Sequence, residues 1–313
     1  MHKSSKIYVA GHKGLLGTAL LRRMDYYGYN NIIAMSHKDL DLTKQLEVDN
    51  FFKKEQPEYV FLAAGEVGGI ISNENFPADY LHINLSIQNN IFEAAIKYDV
   101  KNVLFYGSSC TYPKKSLKPI KEEYLLTGPI EETSEGYAVA KIAGLLGCRA
   151  YNRQYKFNRF IALIPNSTYG PYDNFDPENS HVLSALIRKF HDAKIAKRKE
   201  VILWGSGNPR REFIYSEDVA DASIFAVTNV EKLKNRHYNV GTGIDYSIKE
   251  LADIVSRIVE YEGSIIWDIS KPDGAQKKLL SSSDFYALGW KPATTLECGV
   301  KITYDWYLRN KVQ

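Results

Sequence analysis

The sequence has few cysteines. Its 313 residues include only Cys110, Cys148 and Cys298, an odd number whose spacing suits neither a disulfide framework nor a zinc site. We therefore expect a reducing compartment, the cytoplasm. The sequence also lacks any run of 18 apolar residues, and its first six residues are short and polar, so we expect neither a membrane span nor a secretion signal.

The sequence also lacks an excess of either charge. Lys and Arg number 40 against 37 Asp and Glu, and this net charge of +3 argues against a protein that binds nucleic acid through phosphate contacts. It contains no internal repeat and no low-complexity segment. What it does contain is apolar material, 44% of the residues, which is enough for a large core. Because the net charge is small, any anionic ligand must be bound by a few groups placed close to it.

Short apolar runs alternate with helical patterns in the first half of the chain. The predicted strands span residues 7–10, 32–35, 59–64, 103–106 and 159–164, and further helices are predicted near 44–54, 83–98 and 134–155. This alternation is typical of right-handed crossovers in a parallel sheet. We predict a doubly wound, Rossmann-type α/β domain over 1–165, and mainly a smaller α/β substrate lobe, interleaved with the first, over 166–313.

A glycine pattern follows the first predicted strand and begins the first helix. Its spacing, G-x-x-G-x-x-G, is formed by Gly11, Gly14 and Gly17. Backbone amides without side chains at a helix N-terminus bind a pyrophosphate, so the pattern predicts a dinucleotide site. After the second strand, an NAD enzyme carries an acidic residue for the ribose. This chain has Ser36-His37-Lys38 there, with Lys13 in the glycine loop, and no carboxylate is expected to compete. These groups suit a 2′-phosphate and predict NADP(H).

A tyrosine and a lysine lie four residues apart in a predicted helix. Tyr137 and Lys141 therefore share one helical face. Ser108 follows the strand at 103–106, at the sheet edge where doubly wound folds bind ligands. Hydride delivery to a ketone leaves an alkoxide, so Tyr137 would donate a proton, Lys141 would lower the phenol's pKa, and Ser108 would hold the oxygen. The alternative, an exposed Tyr–Lys pair, leaves the serine and the glycine loop unexplained.

Two more residues carry proton-transfer chemistry. Cys110 lies two residues after Ser108, and as a thiolate it would remove an acidic proton beside a ketone; the alternative is a buried structural cysteine. His181 lies in a polar segment, where it would return a proton to the opposite face; the alternative is a surface histidine. Cys148 and Cys298 are predicted to be packing residues.

Together these motifs resemble the GDP-L-fucose synthases, a family of extended short-chain dehydrogenases/reductases with 3,5-epimerase and 4-reductase activities. The likeness runs almost end to end and includes Val67-Gly68-Gly69-Ile70, Tyr169-Gly170-Pro171, the segment from Pro177 to His181, Trp204-Gly205-Ser206-Gly207, Arg211-Glu212-Phe213 and Lys271-Pro272-Asp273-Gly274. The resemblance implies NADPH as cofactor, a GDP-linked 4-keto sugar as substrate, and a homodimer formed through the helices near 83–98 and 134–155.

The resemblance also implies roles for individual residues. Cys110 and His181 would be the base and acid of epimerisation, and Ser108, Tyr137 and Lys141 the reductase triad. The implied cofactor contacts are Gly11, Lys13, Gly14, Leu15, Leu16, Gly17, Ser36, His37, Lys38, Asp41, Ala63, Ala64, Lys141, Pro165 and His181. The implied substrate contacts are Val182, Arg188, Trp204, Arg211 and Asp273. Asp41 fits a helix N-cap ahead of residues 43–51 equally well. No metal is predicted.

The chain departs from the family pattern near the expected sugar pocket. Glu66 stands where the family has Lys, and other replacements are Ser167, Thr168, Tyr172 and Gly136. The reversed charge predicts an altered substrate, so the alternatives include a C4 reductase without epimerase activity that acts on a GDP-4-keto-heptose or another deoxysugar. A sugar 4,6-dehydratase is disfavoured because no acidic residue accompanies the serine, and an NADP-sensing regulator is disfavoured because the tyrosine and lysine are both present.

Overall fold

A six-stranded parallel sheet is the largest element of the computed structural model, which describes residues 1–176, 180–271, 273–274 and 276–312. The strands are β1 (Ile7–Ala10), β2 (Ile32–Ile33), β3 (Tyr59–Leu62), β4 (Asn102–Tyr106), β5 (Phe160–Pro165), β6 (Ser167–Tyr169), β7 (Glu200–Trp204), β8 (Arg210–Tyr215), β9 (His237–Val240), β10 (Asp245–Ser247), β11 (Ser264–Asp268) and β12 (Lys277–Lys278). The α-helices are α1 (Leu15–Tyr26), α2 (Gln45–Glu55), α3 (Ile70–Asn75), α4 (Pro77–Lys97), α5 (Glu135–Tyr155), α6 (Val182–Ile195), α7 (Ser216–Thr228), α8 (Ile248–Val259), α9 (Ser283–Tyr286) and α10 (Leu296–Lys311).

The large sheet has the order β2-β1-β3-β4-β5-β9, and every neighbouring pair is parallel. Helices cover both faces, with α1 and α7 in contact on one side and α2, α4 and α5 on the other. Because side chains alternate along a strand, Ile7 and Val9 enter one hydrophobic core while Tyr8 and Ala10 enter the other. The predicted doubly wound parallel sheet is confirmed.

A smaller α/β lobe packs around β8. This strand pairs with β6 and β12 in parallel and with β10 antiparallel, while β7 and β11 form a two-stranded parallel sheet. Helices α6, α8 and α10 complete a third hydrophobic core over these strands. The two parts are interleaved, since β9 follows much of the lobe in the chain yet completes the large sheet.

The predicted element boundaries differ from the observed ones by one or two residues at many ends, and by six residues at the start of one helix. The second strand ends at Ile33 instead of residue 35, and the third ends at Leu62 instead of residue 64. The helix predicted near 83–98 begins earlier, at Pro77, because proline suits the first helical turn, where its missing N–H costs no hydrogen bond. Among the helices in the described part of the chain, none is long and apolar enough to span a membrane.

Candidate active site

The loop between β1 and α1 brings backbone segments into close contact. Gly11 has a φ of +81°, and a Cβ on it would lie 2.6 Å from the amide nitrogen of Ala64. A Cβ on Gly17 would lie 2.1 Å from the carbonyl oxygen of Gly11. A Cβ on Gly14 would meet only that same oxygen, at 3.6 Å. Gly11 and Gly17 therefore allow the backbone to pack, whereas Gly14 leaves one side of the loop open.

The open side of the loop lies at the start of α1. Gly14 is the N-cap of this helix and has no side chain that could cap the amides of its first turn. Leu15 and Leu16 form that turn, Ala63 and Ala64 follow β3, and Pro165 ends β5. All these predicted cofactor contacts thus lie at the carboxyl edge of the large sheet. The cradle fits the pyrophosphate of a dinucleotide, since free helix amides attract a phosphate group.

The segment after β2 differs from its prediction in two ways. The Ser36 hydroxyl donates a hydrogen bond to the carboxylate of Asp39, so a carboxylate does lie beside this group. Asp41 accepts hydrogen bonds from the amide and hydroxyl of Thr43, at 2.9 and 2.7 Å, while α2 has Lys44 as its N-cap. The helix N-cap interpretation of Asp41 is therefore wrong, because its short side chain closes a turn before the helix begins.

The predicted cations near this segment are on the surface. The His37 side chain is exposed, and its Nδ1 lies 3.9 Å from the Asp41 carboxylate. Lys13, in the glycine loop, and Lys38 are also exposed. These side chains are in a position to meet a charged group that approaches the carboxyl edge from solvent.

The three predicted triad residues lie close together beyond the carboxyl end of β4: Ser108, Tyr137 and Lys141. Ser108 follows the strand and caps a short 3₁₀ helix at Ser109–Thr111, and it forms a hydrogen bond with Tyr137. The two α5 residues are one turn apart, and Lys141 Nζ lies 5.7 Å from the centre of the Tyr137 ring. The structure therefore brings the three predicted triad residues together.

The protonation of this triad differs from the prediction. Burial is the largest effect on the Tyr137 phenol and raises its pKa, although the hydrogen bond with Ser108 acts in the opposite direction. Burial also lowers the pKa of Lys141 to about 8. The effects on the phenol's pKa come from burial, Cys110, Ser108 and Tyr80, and the lowering expected from Lys141 does not appear among them. At neutral pH Tyr137 thus holds its proton, as a proton donor must.

A lysine from a distant segment contacts the thiol of Cys110. Lys278 Nζ donates a hydrogen bond to Sγ at 3.5 Å, and Cys110 is half-buried beside the triad. Burial works to raise the pKa of the thiol, but the charge of Lys278 and hydrogen bonds with Ser108 and Ser134 outweigh it, so the pKa lies below its ordinary value. Cys110 is therefore only partly buried, and a cation lies beside its thiol.

His181 is the N-cap residue of α6, and its side chain is exposed. Its Nδ1 lies 4.0 Å from the carboxylate of Asp173, which is buried and accepts a hydrogen bond from the Ser184 hydroxyl at 2.5 Å. Burial raises the pKa of Asp173. The segment at 177–179, which belongs to the same predicted motif, lies outside the described residues. A buried carboxylate therefore stands behind the imidazole.

One predicted substrate contact, Trp204, lies at the exposed end of β7. The Trp204 ring is 65% exposed, and the ammonium groups of Lys189 and Lys271 each lie 5.6 Å from its centre. The guanidinium of Arg188 turns elsewhere, donating to the Phe175 carbonyl oxygen and lying 3.5 Å from an Asp192 oxygen. These contacts favour Lys189 over Arg188 as the cation at the tryptophan.

The remaining predicted substrate contacts occupy different settings. Val182 is the partly exposed first residue of α6. Arg211 lies on β8, and burial lowers the pKa of its guanidinium. The Asp273 carboxylate accepts hydrogen bonds from the amide and hydroxyl of Ser206, at 2.8 and 2.7 Å. Pro272, in the same motif, lies outside the described residues. No group of His, Cys, Asp or Glu able to hold a metal ion occurs in the described ranges.

The model of the NAD dependent epimerase/dehydratase family matches residues 7–241. The protein named Putative GDP-L-fucose synthase 2 from Arabidopsis thaliana is 48% identical over 313 residues, which cover all of this chain and 94% of that protein. This chain belongs to the GDP-L-fucose synthase family. Two solved structures, each 41% identical, are also similar: a GDP-6-OMe-4-keto-L-xylo-heptose reductase from C. jejuni (TM-score 0.93, 99% of both chains) and a GDP-mannoheptose C4 reductase from Campylobacter jejuni with NADP bound (TM-score 0.90, 98% of this chain and 99% of that one).

Two departures from the GDP-L-fucose synthase pattern have different surroundings. Tyr172, at a φ of +68°, packs its ring 4.7 Å from that of Trp306, so packing on α10 accounts for this aromatic side chain. Glu66 is exposed next to Gly65, and a Cβ on Gly65 would lie 3.7 Å from Lys141 Nζ. Glu66 thus follows a residue that lies close to the lysine of the triad.

Three residues at this site of the GDP-L-fucose synthase family member were not predicted from the sequence: Lys278, Asp173 and Lys189. Lys278 carries no local signal because its strand is only two residues long. Asp173 and Lys189 lie beside predicted residues, and a helical projection of α6 would have separated Lys189 from Arg188. Cys148 is buried as predicted, but Cys298 is exposed in the first turn of α10, so its prediction as a packing residue is wrong.

Proposed function

We propose that this protein reduces the C4 ketone of a GDP-linked 4-keto sugar with NADPH, and that it epimerises the sugar at C3 and C5 before the reduction. One observation carries the proposal. Ser108, Tyr137, Lys141 and Cys110 converge at the carboxyl edge of the large sheet, on the side where the glycine loop opens. A reductase needs the first three, and the cysteine adds a base for epimerisation.

NADPH supplies the hydride for C4 when it is bound. Gly11 to Gly17 would hold its pyrophosphate, and Lys13, Ser36, His37 and Lys38 would lie near its 2′-phosphate. Because the ammonium groups of Lys13 and Lys38 would attract a 2′-phosphate, we expect a higher catalytic efficiency with NADPH than with NADH. Steady-state kinetics with both cofactors test this. An equal or greater efficiency with NADH would reject the assignment of these residues.

The chain's own residues complete the reduction. Tyr137 gives its phenolic proton to the oxygen that develops at C4, and the Ser108 hydroxyl donates a hydrogen bond to the same oxygen. Lys141 is charged below its pKa of about 8 and stabilises the phenolate that remains. The buried setting strengthens these electrostatic interactions.

Epimerisation uses Cys110 as a base and His181 as an acid. The Cys110 thiolate takes the proton from the carbon beside the ketone, which leaves an enolate and a neutral thiol. His181 then gives a proton to the opposite face of that carbon, so the configuration inverts. The carboxylate of Asp173 lies 4.0 Å from Nδ1 of this imidazole, on its protein side.

The experiment that tests this function uses solvent deuterium. The protein is incubated with NADPH and candidate GDP-4-keto sugars in D2O, and the products are examined by NMR. We expect deuterium at C3 or C5 and a reduced C4. Cys110→Ser should lose the label while it still reduces a ketone that has already been epimerised. An absence of label in the wild-type product would contradict epimerisation, and an absence of reduction would contradict the function as a whole.

A second candidate is a C4 reductase without epimerase activity that acts on a GDP-linked heptose. The reversed charge at Glu66, which follows a residue close to Lys141, favours it, and so do the names of the two similar Campylobacter proteins. The same NMR experiment separates the candidates, because the heptose reductase would give an unlabelled product and prefer the heptose substrate.

We further propose that residues 1–165 bind the cofactor, that 166–313 mainly bind the GDP-sugar, and that the protein is a cytoplasmic homodimer. The three free cysteines fit a reducing compartment. Helices α4 and α5 pack together, and α5 exposes Val139 and Tyr155, which a partner copy would cover. Light scattering after size-exclusion chromatography tests the dimer. A monomer at micromolar concentration would reject it.

A further inference from the structure

We propose that Lys278 is a positioning residue that holds Cys110 as a thiolate, ready to remove a proton from the sugar. The role of Cys110 as the base of epimerisation is part of the proposed function, and this inference rests on it. Lys278 lies in β12, whereas Cys110 and the triad lie at the end of β4 and on α5.

Contacts of the backbone at Lys278 and just after it set the position of the lysine. Lys278 pairs in parallel register with Arg211 of β8. Just after it, the Leu280 amide donates to the Glu212 carboxylate at 3.0 Å, and the Leu279 carbonyl oxygen accepts a hydrogen bond from the Ile120 amide at 2.8 Å. The ammonium therefore reaches the thiol from a fixed strand and not from a mobile loop.

The neighbouring lysine shows that the contact is specific to one face of β12. Side chains alternate along a strand, so Lys277 and Lys278 point to opposite sides. Lys277 Nζ forms an ion pair with the Asp245 carboxylate at 2.7 Å, whereas Lys278 Nζ hydrogen-bonds the Cys110 sulfur at 3.5 Å. Lys277 therefore provides a matched control for the loss of a lysine from this strand.

The groups around the thiol favour its charged form. Ser108, Ser134 and the Tyr137 phenol face it, with Lys278 from β12, and none of these is acidic at neutral pH. Lys118 adds a second cation close to Lys278: burial and the charge of Lys278 both lower the pKa of Lys118. A thiolate in this position offsets the repulsion between the two ammonium groups.

The test follows the ionisation of Cys110 directly. Cys298→Ser provides the background because Cys298 is exposed, while burial raises the pKa of Cys148 and keeps it unreactive. Iodoacetamide alkylation of Cys110 is measured by mass spectrometry from acidic to alkaline pH. The ultraviolet absorbance of the thiolate, taken relative to Cys110→Ser, gives the same titration without requiring access by a reagent.

Four proteins are compared in this background: the unchanged site, Lys278→Met, Lys278→Arg and Lys277→Met. We expect Lys278→Met to move the midpoint of both titrations to higher pH and to slow alkylation at neutral pH by about tenfold, because the thiolate loses its counter-charge. In Lys278→Arg the midpoint should stay close to that of the unchanged site, because the positive charge is kept. Lys277→Met should titrate like the unchanged site. An unchanged midpoint in Lys278→Met would overturn the proposal.

Solvent deuterium separates this inference from the proposed function. If Lys278→Met shifts the titration but the wild type incorporates no deuterium, Lys278 holds the thiolate and the epimerase function fails. If the wild type incorporates deuterium and Lys278→Met leaves the titration unchanged, the epimerase function stands and the role of Lys278 fails. If Lys277→Met shifts the titration as much as Lys278→Met, the general charge of β12 is responsible and the specific contact is rejected.

Discussion

Gly17 and Gly14, in the loop after β1, have different roles: Gly17 allows the backbone to pack, and Gly14 leaves space for the cofactor. Alanine substitutions at the two positions test this difference. In Gly17→Ala the new Cβ would lie 2.1 Å from the Gly11 carbonyl oxygen and 2.6 Å from the Cα of His12. Both atoms are backbone, so no side chain can rotate away and the loop or α1 must move. We expect a loss of at least about 3 kcal/mol in the free energy of unfolding. For a chain of this size that is a fall in Tm of roughly 6 °C or more.

Gly14→Ala should have the opposite profile. Its Cβ would lie 3.6 Å from the Gly11 oxygen, an ordinary contact, and its φ of −82° and ψ of 174° suit alanine. The poorer N-cap preference of alanine limits the stability cost to about 1 kcal/mol. The methyl group, however, occupies the open side of the loop, where the pyrophosphate would bind. We expect NADPH affinity to fall at least tenfold, about 1.4 kcal/mol.

Thermal unfolding and a fluorescence titration with NADPH measure the two effects. Gly28→Ala serves as the control, since Gly28 has a φ of +77° and nothing within 4 Å of a new Cβ. It should cost about 1 to 2 kcal/mol from backbone strain alone and leave NADPH binding unchanged. A Gly17→Ala protein as stable as wild type would refute the packing argument. A Gly14→Ala protein with normal affinity would refute the position of the pyrophosphate.

Three further outcomes follow from the site and its support. Tyr137→Phe should lower C4 reduction, followed as NADPH oxidation, by roughly two to four orders of magnitude through loss of the proton donor; near-normal turnover would place the donor elsewhere. The kcat/KM for reduction should fall as pH rises above about 8, where Lys141 loses its charge, and a flat alkaline profile would contradict this. Glu212→Ala should lower the free energy of unfolding in urea by about 3 to 5 kcal/mol, because Thr242, Gly243 and Leu280 lose a buried acceptor for their amides; an unchanged urea midpoint would count against it.

Five of the six strands of the large sheet were predictable because their signals are local. β1, β3 and β4 are short apolar runs buried on both faces, and helices with their own periodicity connect the first five strands. β9 was not predicted, since its sequence, HYNV, is not an apolar run. The other errors lie at the ends of elements. Pro77 begins α4 six residues before the predicted start, because proline favours the first turn although it disrupts a helix interior. The smaller lobe depends on pairings between distant short strands, such as β12 with β8, for which no local pattern exists.

The candidate site likewise has residues that local motifs predict and features that only the folded chain reveals. Ser108, Cys110, Tyr137 and Lys141 were predictable because two local motifs contain them and the sheet brings both motifs to one edge. Their protonation was not predictable. Whether Lys141 lowers the pKa of the phenol depends on burial, which spacing alone does not reveal. Lys278 lies 168 positions from Cys110 in the sequence, so only the folded chain shows that the two meet.

A buried carboxylate links the two parts of the protein on which the site depends. Glu212, fully buried at the start of β8, accepts hydrogen bonds from Asn166 after β5, from the turn after β9 and from the Leu280 amide after β12. The first two segments continue strands of the large sheet, and the third follows Lys278 by two residues. Loss of Glu212 would therefore free β12 and move the ammonium away from Cys110. A buried residue outside the triad thus supports the geometry of the proposed base.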